Sequence, residues 1–124
     1  MAEHPNAALA RQAMELFDAG DMQALIDLIA DDVVWHEIGN PEPIRGKAAL
    51  GARMAGDRGN EIHTELHDVV ANDDHTVVLT KATATRNGKT LEYRTAEITH
   101  MRDGKIAERW AFSDDTEAIT KFFA

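Results

Sequence analysis

Two dipeptides, Asn87-Gly88 and Asp103-Gly104, interrupt long β-patterned stretches, and they constrain the fold more tightly than any other feature of the chain. Both favour two-residue hairpin turns, whose central positions need positive φ. They predict strands over 75–86, 89–102 and 105–113, each an antiparallel neighbour of the next. A polar break at Asn72-Asp73-Asp74 sets off a further strand over 61–71, so the C-terminal half reads as three antiparallel hairpins.

The N-terminal half has a different period. Leu9, Ala10, Ala13, Met14, Leu16 and Phe17 follow the three-and-four spacing of an amphipathic helix over Pro5 to Ala19, ended by Gly20. Asp21 can cap a second helix with Met22, Leu25, Ile26 and Ile29 on one face. Val33-Val34-Trp35-His36-Glu37-Ile38 predicts a short strand, closed by a loop from Gly39 to Pro43. A third helix is expected over Gly46 to Ala55, broken by Gly56-Asp57-Arg58-Gly59-Asn60, and a last one starts at Asp114 or Asp115 and carries Ala118, Ile119, Phe122 and Phe123. Helices first and a strand meander second predict an α+β domain spanning 1–124, with helices covering one face of a curved antiparallel sheet. Such a sheet rolls into a cone whose open mouth suits a small ligand.

Composition excludes several functions. With 13 Lys and Arg against 22 Asp and Glu the formal charge is −9, which repels a phosphate backbone or an anionic membrane. No cysteine is present, so disulfides, thiolate nucleophiles and Cys-based metal sites are excluded. No GxGxxG, P-loop or GxSxG occurs. The start, MAEHPNAALARQ, shows no basic segment followed by an apolar one, and a cytoplasmic location is the expectation. Glu61, His63, Glu65 and His67 share one strand face at period two, which invites a metal reading. The polar side of a strand with Ile62, Thr64 and Leu66 inward gives the same alternation, and no metal is assigned.

Three stretches carry a family resemblance: Leu16-Phe17-Asp18-Ala19-Gly20-Asp21 leading to Ile29-Ala30-Asp31-Asp32-Val33-Val34-Trp35, then Pro43-Ile44-Arg45-Gly46-Lys47-Ala48-Ala49-Leu50, then Arg102-Asp103-Gly104-Lys105-Ile106-Ala107-Glu108-Arg109-Trp110 with Asp114 beyond. Together they resemble the SnoaL-like polyketide cyclases of the NTF2-like superfamily, which also holds steroid Δ5-isomerases, scytalone dehydratase and limonene-epoxide hydrolase. The resemblance implies a cone-shaped α+β barrel, a homodimer, a pocket for a small hydrophobic molecule, and no cofactor. It puts Glu37 at the isomerases' carboxylate base, but Ala13 and Thr99 where those enzymes have an oxyanion-stabilising Tyr and a protonated Asp. It also puts His100 and Asp114 near the cyclases' acid/base pair. The two alignments disagree on whether Thr99 or His100 faces inward, since a one-residue slip reverses a strand face. His100 is the favoured choice.

The expected chemistry is acid/base isomerisation, cyclisation or dehydration of a hydrophobic ring or polyketide-like compound. Glu37, beside Trp35 and on the face of Val33, would be the base if burial raises its carboxyl toward neutrality. His100 could donate to a carbonyl, and Asp114 could be acid/base or, with Glu117 three residues on, cap the last helix. Trp35, Trp110, Thr99 and Arg109 are the substrate-contacting candidates, with core filling the rival role of both tryptophans. Water activation of the limonene-epoxide-hydrolase kind would need an Asp–Arg–Asp grouping. A non-catalytic binding or dimerisation domain of the same fold is the alternative, and imperfect polar alternation at Leu79, Leu91 and Tyr93 suggests a sheet face for a homodimer.

Overall fold

Helix α1 (Pro5–Ala19) starts with proline in its first turn and stops where Gly20 turns left-handed at φ 77°. Its buried face is Ala7, Ala10 and Ala13, three small residues that let the helix lie close against the sheet. Asp21 caps helix α2 (Met22–Ile26) by accepting from the Ala24 N–H. This helix is shorter than the spacing predicts, because Ile29 already belongs to strand β1 (Ile29–Trp35). β1 thus starts before the expected Val33 and ends at Trp35. A two-residue strand, β2 (Ile44–Arg45), has no sequence signature and precedes α3 (Lys47–Gly56). The computed structural model describes residues 3–56 and 61–124, so most of the expected break at Gly56 to Asn60 lies outside the described residues.

Strands β3 (Glu61–Ala71), β4 (His75–Arg86), β5 (Lys89–Arg102) and β6 (Lys105–Ser113) follow the hairpin signals. Asn87 and Gly88 have φ of 53° and 77°, and Asp103 and Gly104 of 53° and 73°, the paired positive values a two-residue turn demands. α4 (Thr116–Phe122) closes the chain and is capped by Asp115, which accepts from Ala118 N at 3.0 Å. The sheet is curved and unclosed, in the order β2-β1-β6-β5-β4-β3. It is antiparallel except at one place, a correction to the wholly antiparallel expectation: β1 runs parallel to β6. The intervening helix and four strands carry the chain round to that pairing, which no local pattern announces.

Three apolar clusters hold helices to sheet. Ala13, Leu25, Ile29, Val33, Leu50, Met101 and Ile106 join α1, α2 and α3 to β1, β5 and β6. Ala7 and Ala10 meet Val69 and Val78. Ile119, with Phe122 and Phe123, packs against Ala82, Ala84, Tyr93 and Leu91. Full burial of each large side chain such as Ile29, Leu50 or Val33 contributes about 1.5–3 kcal/mol. Leu91 and Tyr93 therefore face inward; of the three residues expected on an exposed face only Leu79 lies there, at 36% exposure. Among the described residues no helix is long and apolar enough to cross a membrane.

The loop after β1 is fitted to α4 at Gly39, whose φ is 79°; a Cβ there would sit 2.5 Å from Thr120 Oγ1, a hydroxyl held by donation to Thr116 O. Gly39→Ala is expected to lower stability by about 1–3 kcal/mol, seen as a reduced Tm. Adding Thr120→Ala should recover the steric part and leave only the cost of the left-handed backbone. A Gly39→Ala protein that melts with the wild type would disprove this seam.

Candidate functional site

The pleat decides what faces the interior. Along β5 the odd-numbered residues Tyr93, Thr95, Glu97, Thr99 and Met101 point between sheet and helices, and along β4 the even-numbered Thr76, Val78, Thr80 and Ala82 do the same. They border a cavity of about 160 Å³, closed on the other side by Leu9, Ala13 and Phe17 of α1 and by Leu25 of α2. Ile106 and Arg109 of β6 also line it, although three residues apart and so of opposite parity. A register shift between His100 and Met101, opposite Glu108 and Ile106, leaves Ala107 as an extra residue and reverses the face of β6. Arg109 is delivered inward by that bulge.

Arg109 organises the polar end of the cavity. Its Nη2 donates to Glu97 Oε1 at 2.7 Å, with side chains 14% and 17% exposed, so this is a largely buried ion pair. Its Nη1 donates to the backbone oxygen of His36 at 3.0 Å. The guanidinium lies 4.6 Å from the Trp35 ring centroid, a cation–π contact. Its Nε is buried and has no hydrogen-bond partner among the described residues. The second carboxylate oxygen of Glu97 accepts from Thr95 Oγ1 at 3.3 Å. Tyr93 lines the same cavity; burial pushes its phenol above 10.0, the Glu97 charge pushes the same way, and Arg109 opposes. The arrangement is one anchored carboxylate and one neutral phenol within walls of apolar side chains and threonines.

The structure does not gather the residues expected to act together. Glu37 lies beyond the end of β1 and pairs with Arg53 of α3 at 3.2 Å; it does not line the cavity, because the chain leaves the strand after Trp35. His100 points to the outer face, where its Nδ1 lies 3.4 Å from His75 Nε2, and Thr99 takes the inward position, buried and hydrogen-bonded to Thr76. Asp114 is exposed and accepts from the Arg94 N–H at 3.1 Å, leaving the helix cap to Asp115. Trp110 stacks on His36 outside the cavity, at 5.7 Å and 5°. Trp35, Thr99 and Arg109 do line it. Glu97 and Tyr93 were missed, and the missing signal was strand parity: once Thr99 faces inward, Tyr93 and Glu97 must follow. On β3 the expected alternation is seen, with Ile62 and Thr64 on the cavity and His63 outside between Glu61 at 3.0 Å and Asp18 at 3.5 Å.

Tyr93 is the sole tyrosine, so its titration can be read without ambiguity. The tyrosinate absorbance of the folded protein should rise at a pH above 10.0 and return to about 10 in denaturant. The sign follows: a phenol held neutral by the fold supports stability up to the unfolded value, and that support is lost as pH climbs from there through the folded one. A folded midpoint at or below that of the denatured chain would contradict the buried placement.

A family model described as a SnoaL-like domain matches residues 10–109. The epoxide hydrolase LasB of Streptomyces lasalocidi is 30% identical over 111 residues, 80% of this chain and 39% of that protein. The chain thus spans well under half the length of that relative. Among solved structures, Bal32a from a soil-derived mobile gene cassette superposes with a TM-score of 0.87 at 24% identity, covering 97% of each chain. RV0760c from Mycobacterium tuberculosis, solved in complex with estradiol-17β-hemisuccinate, gives 0.77 at 20% identity over 89% of this chain and 94% of that one.

Proposed function

From the premise that the chain belongs to the SnoaL-like domain family, we propose that it is an acid/base enzyme for a small hydrophobic ring or polyketide-like molecule, of isomerase, cyclase or dehydratase type. The observation that carries this reading is Glu97, the one carboxylate among the described residues lining a largely apolar cavity, fixed by Arg109 and Thr95. Binding of a small molecule is supported by the estradiol derivative held by the M. tuberculosis neighbour, and enzyme chemistry by the epoxide hydrolase relative.

The proposed division of labour follows from the two groups. Glu97 takes a proton from carbon next to a carbonyl and returns it elsewhere on the substrate. Tyr93, kept neutral by burial, donates its O–H to the oxygen on which charge develops. Arg109 keeps Glu97 in place, and Trp35 and Thr99 form walls against the ring. Water is excluded by the apolar residues of α1.

Glu97→Gln keeps an oxygen acceptor but cannot carry the proton. In a screen of enolisable cyclic ketones and polyketide-like substrates, it should reduce turnover by about 10²–10⁴-fold while ligand binding persists. Wild-type turnover in that variant would overturn the reading. Binding without turnover by the wild type across the panel would favour the non-catalytic ligand domain instead.

We also propose a homodimer through the outer sheet face. Register aligns Val77, Ile98 and Trp110 in one row and Leu79, Ala96 and Phe112 in the next, and Phe112 is 55% exposed. Sedimentation should give twice the 13.7 kDa chain mass, and Phe112→Asp should give the monomer. A monomeric wild type at micromolar concentration would refute this.

A further inference from the structure

The cavity wall carries a hydrogen-bond chain whose direction is fixed from one end. Glu97, paired with the Arg109 guanidinium, is a carboxylate and can only accept. Its Oε2 therefore takes the single hydroxyl proton of Thr95. Thr95 has no second proton, so the hydrogen bond joining the hydroxyls of Thr95 and Thr80 must run from Thr80 to Thr95. The proton of Thr80 is then committed as well. What Thr80 Oγ1 has left is lone pairs, on a side chain that borders the cavity. The second threonine pair of this wall, Thr76 with Thr99, ends instead on the Met101 thioether at 3.4 Å, a weak acceptor that fixes the direction far less firmly.

We infer that Thr80 is an acceptor-only subsite and that the cavity selects an apolar ring bearing a hydroxyl group directed at β4. A ligand O–H donates to Thr80 Oγ1 and completes a chain of four groups ending on Glu97. An ether oxygen or a ketone at the same place would set lone pair against lone pair, and a methyl group would bury the Thr80 oxygen without a partner. Tyr93, whose O–H is available to a ligand, asks for an acceptor at a different point. The preferred ligand class is therefore a hydroxylated ring that also carries a carbonyl or ether oxygen. The inference rests on the cavity being a ligand site, and it is independent of whether turnover occurs there.

Titration calorimetry with 2-naphthol and 2-methoxynaphthalene tests it, since these flat probes differ only in the hydroxyl proton and its methyl replacement. The wild type should bind 2-naphthol about tenfold more tightly, the worth of one net neutral hydrogen bond at its upper range. Thr80→Val should bring the two affinities together, and Thr80→Ser should keep the preference. A preference that survives Thr80→Val, or equal affinities in the wild type, would overturn the subsite while leaving the cavity a ligand site. Failure of both probes to bind would overturn the ligand site and the subsite with it. Should Thr80→Val not fold, a crystal structure of the wild type with 2-naphthol decides instead: the naphthol oxygen belongs within hydrogen-bond distance of Thr80 Oγ1, and any other placement refutes the assignment.

Discussion

The ion pair between Arg109 and Glu97 is the constraint on which the site depends. Two opposite charges about six-sevenths removed from solvent gain Coulomb energy, but each has given up hydration, and the balance is often close to zero against apolar groups of equal size. Stability alone gives little reason to keep such a pair in a largely apolar cavity. Its geometry says more. One guanidinium nitrogen holds Glu97, another holds the His36 carbonyl where β1 ends, and the flat of the group rests on Trp35. A single side chain thereby fixes the carboxylate, the end of a neighbouring strand and one wall of the cavity.

That pair exists because β6 is irregular. In a strand with unbroken alternation Ile106 and Arg109 would face opposite sides, and the apolar core under Ile106 would put Arg109 in solvent. The extra residue Ala107 lets the same strand contribute an apolar side chain to the core and a charged one to the cavity. β3 uses the same device: a register shift between Leu66 and Asp68 turns the inward face from Ile62 and Thr64 to Val69, which meets α1. Each bulge falls where the strand passes from cavity wall to helix-packed core, so the curvature of the sheet and the composition of its two ends have a common origin.

This explains which parts of the molecule were legible from sequence. The four long strands and α1 were readable because their signals are local: Asn-Gly and Asp-Gly set the turns, and Gly20 sets the helix end. The parallel pairing of β1 with β6 and the short β2 carry no local mark, since both depend on partners distant in the chain. On β5 the reading of the cavity turned on one binary choice of strand face. Favouring His100 over Thr99 as the inward residue drew attention from the odd-numbered face of β5, and Tyr93 and Glu97 were passed over together. Glu37 lies away from the cavity for a different reason: the strand stops at Trp35, and beyond it the chain carries the carboxylate to Arg53. Arg109 was placed in the cavity only by a bulge that β-propensity does not register.

The charge inventory of the cavity also separates the chemistries that the fold could host. Among the described residues that line it, Glu97 is the one carboxylate and Arg109 the one cation, so an Asp–Arg–Asp grouping with a second carboxylate is not assembled. Opening an epoxide with water calls for one group to activate the water and another to protonate the leaving oxygen. Here the second role would fall to a neutral donor, the part proposed above for Tyr93. A phenol pushed above its ordinary value gives up its proton less readily than a carboxylic acid, yet still hydrogen-bonds to a developing negative oxygen. Such a pair suits enolisation, in which the oxygen needs stabilising but not full protonation, better than it suits hydrolysis, in which the leaving oxygen must acquire a proton. The same argument accounts for the oriented threonines: hydroxyls that pass polarity toward Glu97 stiffen an acceptor without adding a charge the cavity would have to solvate.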